Sequence, residues 1–325
     1  MKNFQKHVSV KLLLSATAFF CASFNAYADG ESIAVFTKNQ TNPYFQVVRL
    51  GAEAAAKQMN AKSTNYIPTK PDSIPEQMSQ VEDVIIKKPD AIFFIPVDYK
   101  AMGPAVLKMN AANIPVVNVT DRSEIGKFVS FVGASDYNLG LETAKHLFKA
   151  MGGKGNVIAL EGVKGSLTNI DRMKGLVDAQ KEFPEIKLLA SQPANYQRLQ
   201  ALQVMENLMQ TYPKIDGVFA ANDAMATGAI EALEGANRKA LVSGINGTKE
   251  AIDAIKSGAM LATGDYSGFL QGCIGMMAAI RHLRGLPVNT DIVFPATVID
   301  KTNLQKEDVP VEKRMCPKWE EVVKS

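Results

Sequence analysis

The sequence is poor in histidine and cysteine, with three of each among 325 residues. The cysteines show neither a Cys-x-x-Cys pair nor the spacing of a zinc site. Four enzyme motifs are also missing: the Gly-x-Ser-x-Gly elbow, His-Glu-x-x-His, the Walker loop and Gly-x-Gly-x-x-Gly. His146 and His282 fall inside predicted helices, away from the ends of the predicted strands. We therefore expect no enzymatic activity, no metal ion and no cofactor.

Net charge is equally scarce. The formal charge of +3 comes from three lysines within the first 28 residues, which contain no arginine and no acidic residue. The rest of the chain has 33 basic and 33 acidic residues. This balance gives no electrostatic reason to expect nucleic acid or an anionic membrane as a partner. The length itself suggests two domains.

Residues 1–28 are typical of a secretory signal peptide. The three lysines precede an apolar stretch at residues 12–24, which is shorter than the roughly 20 residues of a membrane helix. An Ala-x-Ala cleavage site ends at Ala28. We expect cleavage there and export from the cytoplasm, with a retained membrane anchor as the alternative. Export would permit a disulfide between Cys273 and Cys316, although two unpaired thiols fit the sequence equally well.

From residue 32 onward, short apolar strands alternate with helices. Ile33–Thr37, Ala91–Pro96 and Asn156–Leu160 are examples of the predicted strands. Continuous apolar strands in repeated β-α units indicate parallel sheets covered by helices on both faces. The segment Asp90–Asp98 resembles Asp216–Asp223, since each has an acidic start, an apolar strand and a polar end. The chain is therefore predicted to form two similar α/β lobes.

The ends of these strands carry polar and aromatic side chains. In open parallel sheets, ligands bind beyond the carboxyl ends of the strands, here in loops such as 38–45, 96–98 and 161–172. The residues at these ends offer forked donors, paired acceptors and flat apolar faces: Arg122, Arg172, Asp121, Asp223, Asp265, Asn42, Asn222, Asn246, Tyr44, Phe45 and Tyr196. A polyhydroxy compound, with hydroxyl groups on a C–H framework, is the complement of this set.

Several segments resemble the type I periplasmic binding proteins, in particular the ribose-binding-protein-like branch that serves sugar ABC transporters. They are IAVFTKNQTNPYF, NIPVVNVTDR, VGASDYNLG, DRMKG, SQPANYQ and FAANDAMATGA. The resemblance implies two Rossmann-like lobes joined by three hinge crossovers. The N-terminal lobe would comprise residues 29–134 and 266–292, and the C-terminal lobe residues 135–265 and 293–325. The crossovers are expected near Ala134-Ser135, Gly264–Tyr266 and Asn289–Pro295.

The resemblance also implies a set of ligand-binding residues. It matches Asn42, Tyr44, Phe45, Asp121, Arg122, Arg172, Tyr196 and Asn222, with Asp223 completing an Asn-Asp pair that could instead cap a helix. Three positions depart from the ribose-like pattern, namely Lys38, Asn246 and the pair Asp265-Tyr266. With these included as candidate contacts, the expected ligand is a sugar or polyol other than ribose.

The charges of the candidate residues favour a neutral ligand. We expect Lys38 to pair with Asp265 across the site, because an unpaired buried charge is costly. An acidic sugar derivative is the alternative. The resemblance further implies a periplasmic monomer that delivers its ligand to an ABC transporter permease, and a chemotaxis receptor is a possible second partner.

Overall fold

The computed structural model describes residues 30–306 and 309–324. The predicted signal peptide, residues 1–28, lies outside the described residues. The first half of the described chain forms β1 (Ser32–Phe36), α1 (Pro43–Gln58), β2 (Lys62–Tyr66), α2 (Ile74–Lys87), β3 (Ala91–Phe94), α3 (Gly103–Ala111), β4 (Val116–Val119), β5 (Ser130–Ala134) and α4 (Asp136–Ala150). The second half forms β6 (Lys154–Glu161), α5 (Leu167–Glu182), β7 (Glu185–Pro193), α6 (Arg198–Thr211), β8 (Gly217–Ala220), α7 (Asp223–Gly235), β9 (Leu241–Ile245), α8 (Lys249–Ser257), β10 (Ala262–Asp265), α9 (Gly268–Leu283), β11 (Asp291–Phe294), β12 (Thr297–Ile299) and α10 (Trp319–Val322).

The strands form two six-stranded sheets with matching strand orders. The order is β11-β5-β4-β3-β1-β2 in the N-terminal lobe and β12-β10-β9-β8-β6-β7 in the C-terminal lobe. Neighbouring strands are parallel, except that β12 runs antiparallel to β10. Within each lobe the first five strands follow the doubly wound order 2-1-3-4-5. The predicted pair of similar α/β lobes with parallel sheets is confirmed.

Helices cover both faces of each sheet, and this explains why the central strands are apolar throughout. All four residues of β3 and of β8 are buried. In the N-terminal lobe α1 and α9 pack so closely that a Cβ atom on Gly51 would lie 2.1 Å from the Phe269 carbonyl oxygen. Within residues 30–306 and 309–324, no helix has the length and apolar character needed to cross a bilayer.

The chain passes between the two sheets three times. Two passages, from β5 to α4 and from β10 to α9, occur at the predicted positions. The third lies between Phe294 and Thr297, whereas Asn289–Pro295 was predicted. The difference arises because Asp291–Phe294 forms an unpredicted edge strand, β11, beside β5. The predicted lobe boundary between residues 292 and 293 therefore falls inside a strand of the N-terminal lobe.

The C-terminal segment returns to the N-terminal lobe. Cys316 forms a disulfide with Cys273 of α9, and the guanidinium of Arg281, also on α9, lies 4.7 Å from the centre of the Trp319 ring. The prediction that residues 293–325 belong as a whole to the C-terminal lobe is thus wrong for this segment. The disulfide explains its position, because it attaches the segment to α9.

Candidate functional site

A cavity of about 160 Å³ lies between the lobes, at the carboxyl ends of both sheets. Both lobes contribute to its walls, as expected for two doubly wound sheets whose strand ends face each other. Ten of the twelve predicted contact residues line it: Lys38, Asn42, Tyr44, Phe45, Asp121, Arg172, Tyr196, Asn222, Asn246 and Tyr266. The tertiary structure therefore brings residues from all parts of the chain to one place.

An ion pair forms part of the N-terminal wall. Lys38 follows β1 in the chain, and Asp121 follows β4. The Nζ atom of Lys38 lies 2.8 Å from Oδ2 of Asp121. The side chains of both residues are nearly buried, with 13% and 7% of their surface exposed. Burial opposes the ammonium charge, but Asp121 and Asp72 outweigh this effect and raise the pKa of Lys38 above its ordinary value. Lys38 is therefore a charged donor at the cavity wall.

The start of α1 supplies further groups to the same wall. Asn42 caps the helix, its side chain accepting a hydrogen bond from the backbone N–H of Tyr44, and Pro43 occupies the first turn. This places the Tyr44 and Phe45 rings at the cavity. The Tyr44 hydroxyl lies 3.1 Å from the Thr120 hydroxyl, which donates to Gln271. The aromatic wall is thus held by a buried hydrogen-bond chain.

Arg172 is the main charged group of the C-terminal wall and is 2% exposed. Its Nε donates to Oδ1 of Asp136 at 2.8 Å, and its Nη1 donates to the Ala221 carbonyl and to Asn246 Oδ1. Helices α5 and α4 approach each other closely at this point. A Cβ atom on Gly140 of α4 would lie only 2.2 Å from the carbonyl oxygen of Arg172 on α5. Several partners thus fix the orientation of the guanidinium.

Asp136, the first residue of α4, is the acidic partner of Arg172 and is itself strongly perturbed. Burial raises its pKa to about 6, although Arg172 and the Tyr266 hydroxyl favour the ionised form. The carboxylate accepts hydrogen bonds from both residues, at 2.8 Å and 2.9 Å. Asp136 therefore links Arg172, a cavity residue of the C-terminal lobe, to Tyr266, which lies in the second passage between the lobes.

Tyr266 occupies that passage and contacts both lobes. Its ring lies 5.2 Å from the Tyr44 ring on one side and 4.7 Å from the Arg172 guanidinium on the other. Its hydroxyl donates to Asp136 and approaches the Thr120 carbonyl at 3.3 Å. Burial raises its pKa well above the ordinary value, so Tyr266 stays a neutral phenol. It serves as the floor of the cavity and as a bridge between the lobes.

The remaining aromatic wall comes from Tyr196, whose backbone adopts a left-handed conformation with φ of 60°. Its carbonyl accepts a hydrogen bond from the Asn222 side chain, which also caps α7. A Cβ atom on Gly162 would lie 2.0 Å from Cζ of Tyr196, so only glycine leaves room for this ring. A non-glycine residue with positive φ is uncommon, and such residues cluster at ligand sites.

Comparison with known proteins agrees with this architecture. A family model described as a periplasmic binding protein domain matches residues 33–287. The chain belongs to this family. The xylitol-binding protein of Mycolicibacterium smegmatis is 33% identical over 243 residues, which cover 74% of this chain and 69% of that protein. The ribose import binding protein of Haemophilus influenzae is 30% identical over 292 residues, covering 89% and 98%. A solute-binding protein of an ABC transporter from Actinobacillus succinogenes, solved with bound D-allose, superposes with a TM-score of 0.82 at 36% identity and covers 85% and 99%.

Two predicted contact residues of this periplasmic binding protein lie outside the cavity. Arg122 is half exposed, pairs with Asp291 at 2.6 Å and stacks on the Phe131 ring at 3.8 Å. Asp265 accepts hydrogen bonds from the backbone and side chain of Ser267. In each case the neighbouring residue, Asp121 or Tyr266, faces the cavity instead. In these two pairs the neighbouring side chains point to opposite sides of the backbone, so only one member of each pair reaches the cavity.

The expected pairing of Lys38 with Asp265 is therefore wrong, because Lys38 pairs with Asp121. Asp223, the doubtful member of the predicted set, is buried and accepts hydrogen bonds from the Thr248 N–H and the Thr263 hydroxyl. It thus holds the loop before α8 and is absent from the cavity lining. Both corrections concern side-chain direction, which tertiary packing determines.

Sequence reasoning missed ten residues of the cavity lining. Seven lie in loops that the strand pattern singled out without distinguishing individual members: Asn39, Val97, Asp98, Val163, Lys164, Ser166 and Thr168. The other three are Asp72 and Ile74, which follow β2, and Thr120, which precedes Asp121. The signal for Thr120 was its place directly after the buried strand β4. The prolines around Asp72 indicated a loop but gave no reason to assign it to the site.

Proposed function

We propose that the protein captures a neutral monosaccharide or polyol in the periplasm and delivers it to the permease of an ABC transporter. The observation that carries this proposal is the cavity between the lobes, with Asp121 and Arg172 on opposite walls and aromatic rings between them. Hydroxyl groups both donate and accept, so they satisfy a carboxylate and a guanidinium at the same time. The relatives named for xylitol and ribose, and the structure holding D-allose, support this class.

The size of the cavity supports a single small ring or a short chain. A protein cavity of about 150 Å³ is known to accommodate benzene, a six-membered ring. The cavity here, about 160 Å³, is similar. A monosaccharide or a short polyol matches this volume better than a disaccharide does.

The formal charges around the cavity support a neutral ligand. Among the residues that the structure describes, three cationic and three anionic side chains line it: Lys38, Lys164, Arg172, Asp72, Asp98 and Asp121. The predicted set of charged residues was also balanced, but its members were partly different. It contained Arg122, Asp223 and Asp265, whereas the cavity has Lys164, Asp72 and Asp98. A charged ligand would leave this balanced set with an uncompensated charge, which is unfavourable when buried.

A binding role rather than catalysis fits the residues of the cavity. Among the described residues, the lining contains hydroxyl groups at Thr120, Ser166 and Thr168 but no histidine that could act as a general base toward them. His146 lies elsewhere, 3.4 Å from Asp300. The proposal therefore assigns the protein no reaction, and turnover of a bound sugar would contradict it.

A thermal-shift screen of pentoses, hexoses, polyols and sugar acids tests the ligand class. A compound present at about 100 times its dissociation constant stabilises the folded protein by about 2.7 kcal/mol. A neutral sugar or polyol should produce the largest shift. A screen in which no sugar or polyol changes the melting temperature would refute the proposal.

Three further measurements test capture, location and oligomeric state. The lobes are expected to close on the ligand, so small-angle scattering should give a smaller radius of gyration once the identified sugar is added. The exported protein should begin at Asp29, which mass spectrometry of a periplasmic extract would reveal. Analytical ultracentrifugation of that extract should return the mass of a monomer.

A further inference from the structure

Two carboxylates, those of Asp121 and Asp72, lie near Lys38, and only Asp121 was among the predicted contact residues. Asp121 forms the direct ion pair at 2.8 Å. Asp72 lies beside the same cavity and, like Asp121, raises the pKa of Lys38 through its negative charge. Any ligand group that approaches Lys38 therefore meets two negative charges as well.

The backbone around Asp72 holds it against the loop that carries Lys38. Its N–H donates to the Lys38 carbonyl at 3.2 Å, and its Oδ1 accepts a hydrogen bond from the Asn39 side chain at 3.0 Å. Asp72 has a positive φ of 56°, so residues 67–73 turn sharply here before α2 begins. Burial raises the pKa of Asp72, whereas Lys38 and Asn39 favour its ionised form. The carboxylate is thus a fixed part of the site.

We propose that Asp72 is a specificity-determining residue that excludes acidic sugars, because Asp72 and Asp121 together outweigh the charge of Lys38, the one cation that the described residues place on the N-terminal wall. This inference rests on the proposed sugar-binding function. A ligand carboxylate placed near Lys38 would gain one attraction and face repulsion from both aspartates. A ligand hydroxyl in the same place can accept from Lys38 and donate to either aspartate, so it uses all three groups.

The repulsion is large enough to decide between ligands. Inside a protein, charges separated by several ångströms interact with an effective dielectric constant of about 20, and the surrounding salt screens a half-buried group such as Asp72 less than an exposed one. Removing one such charge changes the relative affinity for a neutral and an anionic ligand by roughly tenfold or more. The two cations of the C-terminal wall offset this effect little, since Arg172 is already paired with Asp136 and Lys164 is exposed to solvent.

Calorimetric titration with three pairs of compounds tests the inference: D-ribose and D-ribonate, D-allose and D-allonate, and xylitol and D-xylonate. The natural protein should prefer the neutral member of any pair that it binds. The variant Asp72→Asn should reduce this preference by about tenfold or more, mainly through tighter binding of the acid. Asn accepts positive φ readily and can keep the hydrogen bond from Asn39, so the loop should remain folded. Asp72→Gly, which also tolerates this backbone, should give the same ratio.

Asp83→Asn is the matched control. It removes the same charge from an exposed position of α2, outside the cavity, and should leave the preference unchanged. An unaltered preference in both Asp72 variants, with neutral binding intact, would overturn the inference and leave the proposed function standing. Equal binding of the acid and the neutral sugar by the natural protein would also overturn the inference and leave sugar binding as the proposed function. Failure of all six compounds to bind would instead remove the proposed function, and this inference with it.

Discussion

The Thr168 hydroxyl donates a hydrogen bond to Oδ1 of Asp121, and these two residues belong to different lobes. Thr168 lies in the first turn of α5 in the C-terminal lobe, whereas Asp121 follows β4 in the N-terminal lobe. Because the same carboxylate also binds Lys38, the contact joins the C-terminal lobe to the charged wall of the cavity. We therefore expect Asp121 to take part in closure of the lobes as well as in ligand contact.

Replacing Thr168 by valine tests this link. The substitution preserves shape but removes the donor, and hydrogen bonds to charged groups contribute roughly 1.5–3 kcal/mol. We expect the affinity for the identified sugar to fall by about tenfold or more in calorimetry. Thr168→Ser retains the hydroxyl and should keep most of the affinity. Equal affinities for the valine variant and the natural protein would show that this contact does not contribute to closure.

Arg172→Ala should weaken sugar binding by roughly 2–5 kcal/mol, because it removes a buried, hydrogen-bonded charge from the cavity wall and leaves Asp136 unpaired. Arg122→Ala is the matched control, since it removes the same type of side chain from outside the cavity. Calorimetry should find the control close to the natural protein. Similar losses in both variants would contradict the assignment of Arg122 to the surface.

The disulfide between Cys273 and Cys316 should stabilise the fold without affecting ligand binding. It closes a loop with a sequence separation of 43 residues, for which the chain-entropy model gives about 4 kcal/mol. Urea unfolding of the Cys273→Ala/Cys316→Ala protein should show a loss of this order. The sugar affinity should be unchanged, since neither cysteine lines the cavity. A reducing agent should lower the stability of the natural protein but not that of the double variant.

Asp223 should make stability depend on pH. Burial raises its pKa to about 6, above the ordinary value of 3.8, although Thr263 and Thr248 donate hydrogen bonds to it. The folded state therefore holds the proton more tightly than the unfolded chain, and the ionised group costs stability above about pH 6. This cost is removed as the pH falls from about 6 towards 4.

Urea unfolding at about pH 7.5 and about pH 5 measures the effect. The contribution of Asp223 to the free energy of unfolding should be about 1 kcal/mol larger at the lower pH. In the Asp223→Asn variant residue 223 cannot ionise. The increase in the free energy of unfolding from about pH 7.5 to about pH 5 should therefore be about 1 kcal/mol smaller in the variant than in the natural protein. Asp136 contributes in the same direction and remains in both proteins, so the comparison isolates Asp223. The same pH dependence in both proteins would contradict the raised pKa.

Much of the fold follows from local patterns in the sequence. Apolar runs such as Ala91–Phe94 predict buried strands because period and composition are local properties. A cap such as Asn42, followed by Pro43, predicts a helix start for the same reason. The short edge strand Asp291–Phe294 escaped prediction, because its exposed residues alternate with buried ones over only four positions. Its place depends on pairing with β5 rather than on its own sequence.

By itself, the sequence determined the two α/β lobes, the strand ends at which the site lies, and ten of the twelve expected residues around the cavity. Only the tertiary structure decided which side of the backbone each side chain occupies. Asp121 faces the cavity while its neighbour Arg122 points to Asp291, and Lys38 meets Asp121 and Asp72 rather than Asp265. It also decided that Cys273 and Cys316 are joined. The reason is physical: helix and strand signals act over a few neighbouring residues, whereas these contacts join residues that are distant in sequence and adjacent only after the sheets have formed.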